Sequence, residues 1–375
     1  MGIFKKLFHS AFSKAVGVKV FTSNPYLGLI IEQDESDVIA DELFQVGMAY
    51  LHGEYDLPQD ITKANQYIRK AAEQGHSVAQ LFAAMSYMKY ENDSNQDVLY
   101  WLQKAAEQGE KQAMYNVGIS YHRGDFDGVI DVPKSNKLIR RSAEKDYGPA
   151  CERLAKIYWN GDGIEKSLEI AKFWAMRAYS LGEQCGEFLS SLITTDDVIE
   201  NRYNHIKIFK DAANAGDRHA LFLSGVEIHD SDSDSDIDKA AEIWKAAGDK
   251  GDANAIFSLG IYYRKEKENH SEANRLFEVA ANMGSEEAQN ALAESYYYGL
   301  GVERDVAKAW EWNQKALNLA YTPARFLLAI MCLENSMNEI VPDRVLRGPH
   351  YLEMAIGDNY APAIELSKQL SQQET

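Results

Sequence analysis

The sequence predicts an all-α fold, a right-handed α-solenoid of about nine antiparallel helix pairs preceded by an N-terminal amphipathic helix. Three observations predict it. A helical register recurs nine times with a period near 35 residues, and its clearest copy runs AQNALAESYYYGLGVERDVAKAWEWNQKALNLA from Ala288 to Ala320. A turn residue closes each copy: Gly75, Gly109, Asp146, Gly182, Gly216, Gly251, Gly284, Ala320 and Asn359. Small and bulky side chains keep fixed places around that turn, a separation that chance does not maintain through nine copies.

Taken in chain order, residues 1–18 come first. Ile3, Phe4, Leu7, Phe8 and Phe12 share one helical face with Ala15 and Val16, while Lys5, Lys6 and Lys14 lie elsewhere. His9, Ser10, Ser13 and Lys14 interrupt the apolar core that a secretory signal needs, and Lys6 stands where a myristoylation signal wants Ser or Thr. Two readings remain for residues 2–16: a cap over the open face of the first repeat, or a contact with an anionic membrane surface. Residues 19–37 read as an extended connector, residues 38–371 as the solenoid and residues 372–375 as a tail.

Within each repeat the first helix carries a small residue at Gly47, Ala84, Gly118, Ala155, Ser191, Gly225, Gly260, Ala293 and Ala329. Three residues later six of the nine copies have Tyr (50, 87, 121, 158, 263 and 296), which suggests a ladder of stacked rings. The second helix places a bulky residue eight before the turn, from Tyr67 and Trp101 to Trp312 and Tyr351, and a small one four before it, from Ala71 and Ala105 to Ala316 and Ala355. Four residues after the turn another small residue opens the next helix, from Ala79 to Ala363. Residues four apart share a helix face, so each small residue admits a neighbouring backbone and each large one fills the gap beside it.

YYYGLGVERDVAKAWEWNQKAL, from Tyr296 to Leu317, resembles the Sel1-like repeat family, a relative of the tetratricopeptide repeat. That family joins its two helices by a loop containing G-x-G, which Gly161 with Gly163 and Gly299 with Gly301 match in full, whereas Gly53 and Gly124 keep only the first glycine. The resemblance extends over about residues 40–371 and is weakest in repeat five, SLITTDDVIENRYNHIKIF, where a bend or an irregular stack is expected. It implies adaptor roles, often in bacteria, in signalling or envelope assemblies.

Length alone would suggest two or three domains, but consecutive repeats share a continuous core and overrule it. Cys151, Cys185 and Cys332 are too scattered for a disulfide framework or a zinc cluster and read as small core residues in a reducing compartment. No apolar run approaches a membrane span. The formal net charge is −18, which repels nucleic acid and draws basic partners inward. Catalytic motifs are missing: HExxH, Walker loop, CxxC and nucleophile elbow do not occur. The acidic run Asp230–Asp238 fails as a calcium loop, because Ser235 stands where the sharp turn wants Gly and Ala241 where the bidentate Glu belongs. No cofactor and no metal site are therefore expected.

The residue after the Tyr ladder should point from the concave wall of the solenoid and form a partner-binding groove. His52, Met88, Lys89, His122, Arg123, Trp159, Arg264, Tyr297 and Tyr298 are the candidates, rich in the types that dominate binding hot spots. The expected function is that of a non-enzymatic, cytoplasmic protein-interaction scaffold, sequestering a basic partner in the manner of an antitoxin or acting as an adaptor. The alternative is a tethered adaptor, peripheral at the inner face of the membrane. An enzyme with an unrecognised site is the reading from another class.

Overall fold

The computed structural model describes residues 38–54, 57–90, 95–126, 128–184, 186–193, 197–199, 202–203, 205–229, 234–333 and 344–372. The amphipathic segment 1–18, the connector 19–37, Cys185 and residues 230–233 of the acidic run lie outside them. Nineteen helices follow one another among the described residues. Nine pairs are α1 Ala40–His52 with α2 Ile61–Glu73, α3 Ser77–Tyr90 with α4 Asn95–Glu107, α5 Lys111–Arg123 with α6 Val132–Ala143, α7 Gly148–Asn160 with α8 Leu168–Ser180, α9 Gly186–Leu192 with α10 His205–Asn214, α11 Arg218–His229 with α12 Asp234–Asp249, α13 Ala253–Lys265 with α14 His270–Asn282, α15 Glu286–Tyr298 with α16 Val306–Asn318, and α17 Thr322–Leu333 with α18 Arg344–Gly357. A single helix, α19 Ala361–Gln372, follows the ninth pair.

The turn predicted for each repeat is left-handed in all nine copies. The six glycines sit at φ 84–99°, and Asp146, Ala320 and Asn359 at φ 56–59°. A residue with a Cβ is confined to the narrow left-handed basin near 57°, whereas glycine moves beyond it. The alanines around the turn are sealed: Ala71, Ala105, Ala178, Ala212, Ala247, Ala280, Ala316 and Ala355, with Ser142, have no exposed surface. Those four after the turn, from Ala79 to Ala363, are equally sealed wherever the structure describes their side chains.

The notch left by a small residue on the first helix is filled by the residue seven before the turn, one position beyond the bulky one expected from the sequence. A Cβ on Gly118 would lie 2.9 Å from Ile139 Cγ1, and one on Gly260 would lie 2.5 Å from a ring carbon of Phe277, both packed into the core. The bulky set itself divides. Trp174, Ile208 and Tyr351 are buried, while Tyr67, Leu138, Ile243 and Trp312 are half-buried. Ser191 is exposed, so repeat five lacks a close contact there.

The Tyr ladder is not a stack. Tyr50, Tyr121, Tyr158, Tyr263 and Tyr296 make no ring contact with one another, and in repeats one, three and eight the ring is covered by the second helix of its own repeat. Lys63, Lys134 and Lys308 hold their ammonium groups 5.1, 4.1 and 5.3 Å from the ring centres of Tyr50, Tyr121 and Tyr296. The Tyr158 ring is met instead by Arg140 of the preceding repeat, at 5.3 Å. The loop beneath is closed by the backbone: the N–H of Asp60, Asp131, Ser167, Asn269 and Asp305 donates to the carbonyl of the ladder Tyr at 2.8–3.1 Å. The same five side chains then cap the second helix.

Repeat five departs from the pattern. Its first helix, α9, has 7 residues, and a two-stranded antiparallel ladder, β1 Val198–Ile199 with β2 Arg202–Tyr203, stands between α9 and α10.

The chain forms two compact units, one of residues up to Ser86 together with Gln289 onward, the other Tyr87–Ala288. In the first, α1 docks on α18 across some 305 residues of sequence. Arg347 donates twice to Glu42, at 2.7 and 2.9 Å, and the Tyr351 hydroxyl donates to Asp41 at 3.1 Å. His350 Nε2 lies 2.8 Å from Gln45 Oε1, and Ser77 Oγ donates to the Asn318 carbonyl at 2.7 Å. Burial opposes ionisation of Asp41, yet the Arg325 charge and the hydrogen bond from His76 hold its carboxyl well below the usual range. In the second unit Phe173 and Trp174, wholly buried, anchor a core running through repeats three to six with Leu154, Ile157 and Leu189.

Replacing Ala320 by Gly releases a left-handed L-residue, and stability rises by about 1 kcal/mol after the entropic cost of glycine. Gly260→Ala drives a methyl into Phe277 and lowers stability by about 1–3 kcal/mol; chemical denaturation checks both. A pH effect is also expected at His350. Its burial, opposed by Asp41 and aided by Arg325 and Arg347, lowers its pKa from 6.5 to about 4. Between those values the unfolded chain takes a proton that the folded chain refuses. Stability therefore falls as pH drops from 6.5 toward 4, by up to about 3 kcal/mol, and is unaffected above that window. His350→Gln should melt with a shallower pH dependence than the wild type over the same range.

Candidate functional site

The predicted wall residues are divided between the two units. In the first unit, His52 and Tyr298 are exposed, but Tyr297 is 1% exposed. This corrects its placement on the wall: Tyr297 belongs to the core of repeats eight and nine, with Arg304 over its ring at 5.4 Å and the Tyr298 ring edge-on at 4.9 Å. In the second unit, Arg123 is exposed and His122 half-buried. Trp159 packs on the core with Lys166 4.9 Å above its ring, and Arg264 lies 5.2 Å from the Phe277 ring. Met88 and Lys89 fall on helix α3, but their side chains lie outside the described residues. The membrane-contact candidates Ile3, Phe4, Leu7, Phe8 and Phe12 also lie outside them.

The second unit instead contains a cavity of about 710 Å³, and none of the predicted wall residues lines it. One wall is a stripe along α6, Pro133, Asn136, Lys137, Arg140 and Arg141, continued by Glu144 and Lys145. These positions recur every three or four residues, which is one helix face. The facing wall is built from the turns of later repeats: Arg218 at the start of α11, Ala253 and Asn254 at the start of α13, and Met283 just past α14. Met114, Leu154, Tyr158 and Ile164 supply the apolar surface.

Ion pairs hold the two walls together. Arg218 donates twice to Glu144, both at 2.8 Å, and once to the Lys250 carbonyl at 3.1 Å. Arg140 donates to Asp217 Oδ2 at 3.1 Å, which also accepts from the Trp174 indole at 3.0 Å. Asp217 Oδ1 caps α11, accepting from the backbone of His219 and Ala220 at 3.0 Å each. Lys145 pairs with Glu286, and Asn254 donates to the Glu144 carbonyl at 3.0 Å. Burial raises the Glu144 carboxyl above its usual range against the pull of Arg218. Burial alone would depress His219, but the hydrogen bond with Asp252 at 3.1 Å and the charges of Asp252, Glu144 and Asp217 lift it above the ordinary imidazole value.

The sequence held one signal for this site. Helix α6 carries Lys134, Lys137, Arg140 and Arg141 and no acid, in a chain whose net charge is −18. The facing wall had no such signal, because its residues are brought in by stacking from repeats three or four units away. Among the described residues no group of three or more His, Cys, Asp or Glu could hold a metal ion, and no helix is long and apolar enough to cross a membrane. Cys151 and Cys332 are buried free thiols.

The Sel1 repeat profile matches residues 43–76, 99–110, 111–147, 148–183, 253–285 and 286–321, together half of the chain. The chain belongs to the Sel1 repeat family. Sel1 repeat proteins generally mediate protein–protein interaction and are generally non-enzymatic. A curated relative, the ERAD-associated E3 ubiquitin-protein ligase component HRD3B of Arabidopsis thaliana, is 28% identical over 114 residues. That match spans 30% of this chain and 18% of the relative, so the chain corresponds to about a fifth of the relative's length. A protective antigen of uropathogenic Escherichia coli displaying an SLR fold is 21% identical with a TM-score of 0.38, covering 92% of this chain and 94% of that one. A Sel1 repeat protein from Oxalobacter formigenes is 20% identical with a TM-score of 0.36, covering 74% and 96%. An immunity protein from Pseudomonas aeruginosa is 15% identical with a TM-score of 0.29, covering 66% and 83%. These low TM-scores carry no weight for function, and membership in the family rests on the repeats.

Asp217 is the junction of the site, pairing a guanidinium, an indole and a helix start from a position with 1% exposure. Asp217→Ala leaves all three without their acceptor and should cost about 3–5 kcal/mol. Denaturation followed by tryptophan fluorescence, to which the indole of Trp174 contributes, measures it.

Proposed function

We propose that this Sel1 repeat chain is a non-enzymatic interaction scaffold that seats an exposed segment of a protein partner in the cavity of its second unit. The observation that carries this reading is the cavity itself. It is of the size that holds short ligand segments, is walled by helix α6 and the turns of later repeats, and is held open by ion pairs rather than filled by side chains. A structural role alone would leave these turns packed against each other, as they are where Gly109 and Gly284 meet backbone to backbone. The net charge of −18 favours a second reading, in which a basic protein is drawn to the acidic surface and sequestered there. Residues 2–16 fit a tether that adds avidity at an anionic membrane without changing the partner.

The experiment is a pull-down with tagged full-length protein from its own cells, eluted stepwise with salt. One stoichiometric protein, absent when Asn254 and Arg218 are replaced by Ala in a variant that keeps its helical circular dichroism, is the expected result. A partner retained by that variant moves the site elsewhere, and a basic partner released early by salt selects the second reading. Liposome flotation of the full chain against one lacking residues 1–20 tests the tether, and equal flotation of the two removes it.

A further inference from the structure

Resting on the interaction reading above, we infer that the cavity of the second unit recognises an acidic peptide segment, whose carboxylates are met by Arg141 and Lys137.

Five cations line the cavity, and three of them are committed. Arg140 is held by Asp217, Arg218 by Glu144 and Lys145 by Glu286. Arg141 differs: its one hydrogen bond among the described residues goes to the carbonyl of Met283, at 2.9 Å, a neutral acceptor. Lys137 has no ion-pair partner among the described residues and is exposed. The two sit four residues apart on one helix, so their side chains rise side by side from the same wall. Like charges at that spacing repel, and the one acid whose charge reaches Arg141, Glu144, is already gripped twice by Arg218. A ligand carboxylate supplies the missing charge, and the planar fork of Arg141 has donors left for a two-point grip on it.

Spacing favours a peptide over an isolated anion. Helical positions four apart have Cβ atoms about 5–6 Å apart, close to the roughly 7 Å between alternate side chains of an extended chain. Two acidic residues in an i, i+2 pattern therefore reach Lys137 and Arg141 together, while the residue between them turns toward the opposite side of the cavity. Apolar surface is present beside the cations, from Met114 and Leu154, so an acidic segment with an apolar residue is accommodated. The negative charge of the whole chain does not forbid this: at physiological salt the field of remote acids is screened beyond about 8 Å, and the cations inside the cavity act at contact. A dense polyanion such as nucleic acid meets the acidic surface as well and is repelled.

The test pans a random twelve-residue phage library on the immobilised full chain, on Lys137→Glu and on Arg141→Glu, with Arg141→Lys as the charge-preserving control. Lys137→Glu alters an exposed residue and keeps the fold, so its result stands even where Arg141→Glu unfolds the protein. Expected are peptides enriched in Asp and Glu with an i, i+2 pattern. Their affinity, measured on synthetic copies by fluorescence anisotropy, falls at least about tenfold on Lys137→Glu, is largely kept by Arg141→Lys, and weakens with salt. Basic or neutral peptides, or acidic ones that bind Lys137→Glu unchanged, overturn the inference while leaving the scaffold reading intact. Recovery of no peptide, with inorganic phosphate alone perturbing the site, reduces it to a simple anion site and also overturns it. Recovery of nothing, together with a pull-down that captures no partner, overturns both.

Discussion

Stacking in this protein depends on how closely helix backbones approach at the left-handed turn. Wherever the structure describes them, the small residues four before and four after each turn have lost all their surface. A larger side chain at either place would hold the helices apart and open the layer beneath, because interiors this dense do not absorb an added methylene without strain. The period near 35 residues, the positive φ at the turn and the small residues around it are one constraint seen three ways. Where a Cβ is present at the turn, as at Asp146, Ala320 and Asn359, the backbone retreats to φ 56–59° rather than abandoning the conformation.

The residue just after the turn is the place where this constraint leaves freedom. His76, Asp217, Asp252 and Ser285 each accept the N–H of the alanine three residues on, so a polar side chain caps the following helix. After the three turns that have a Cβ, the residue is Tyr147, Tyr321 or Tyr360, and its carbonyl accepts that N–H instead. Once the cap is made, the other atoms of these polar residues are available. Asp217 uses them on Arg140 and Trp174, Asp252 on His219, and His76 on Asp41. The Arg140–Asp217 pair of the second unit and the His76–Asp41 contact of the first therefore grow from a position whose first duty is to start a helix.

This explains how unevenly the sequence could be read. The turns, the sealed alanines and the helix pairs were legible because each is repeated nine times and each follows from local geometry. Repeat five was legible as an irregularity, but its short strand pair was not, since two-residue strands carry no periodic signal. The Tyr ladder was misread for a reason that a single repeat contains. Lys63, Lys134 and Lys308 stand three residues after the cap, donate their own N–H to it, and so bring their side chains over the ring of the same repeat. Tyr297 was misplaced by one helical step, because a residue adjacent to a half-buried Tyr turns inward rather than outward when the helix end packs on Ala309 and Leu317. The candidate cavity was half legible. The basic run on α6 is a local feature, whereas Arg218, Asn254 and Met283 reach it only through the stacking of intervening repeats.

The charge of that cavity runs against the charge of the chain, and the contrast has structural content. Asp217 and Glu144 are buried carboxylates whose isolation from water is tolerable only with guanidinium groups beside them, so Arg140 and Arg218 are required by the fold. Arg141 answers no such demand, since a backbone carbonyl in a turn can be satisfied by a neutral donor or by water. Lys137 answers none either. An acidic protein that keeps two further cations on the same helix face, beside a cavity, carries charge that its own packing does not use. In a family whose members generally bind other proteins, surplus charge at a cavity wall is where selection by a partner rather than by the fold is expressed.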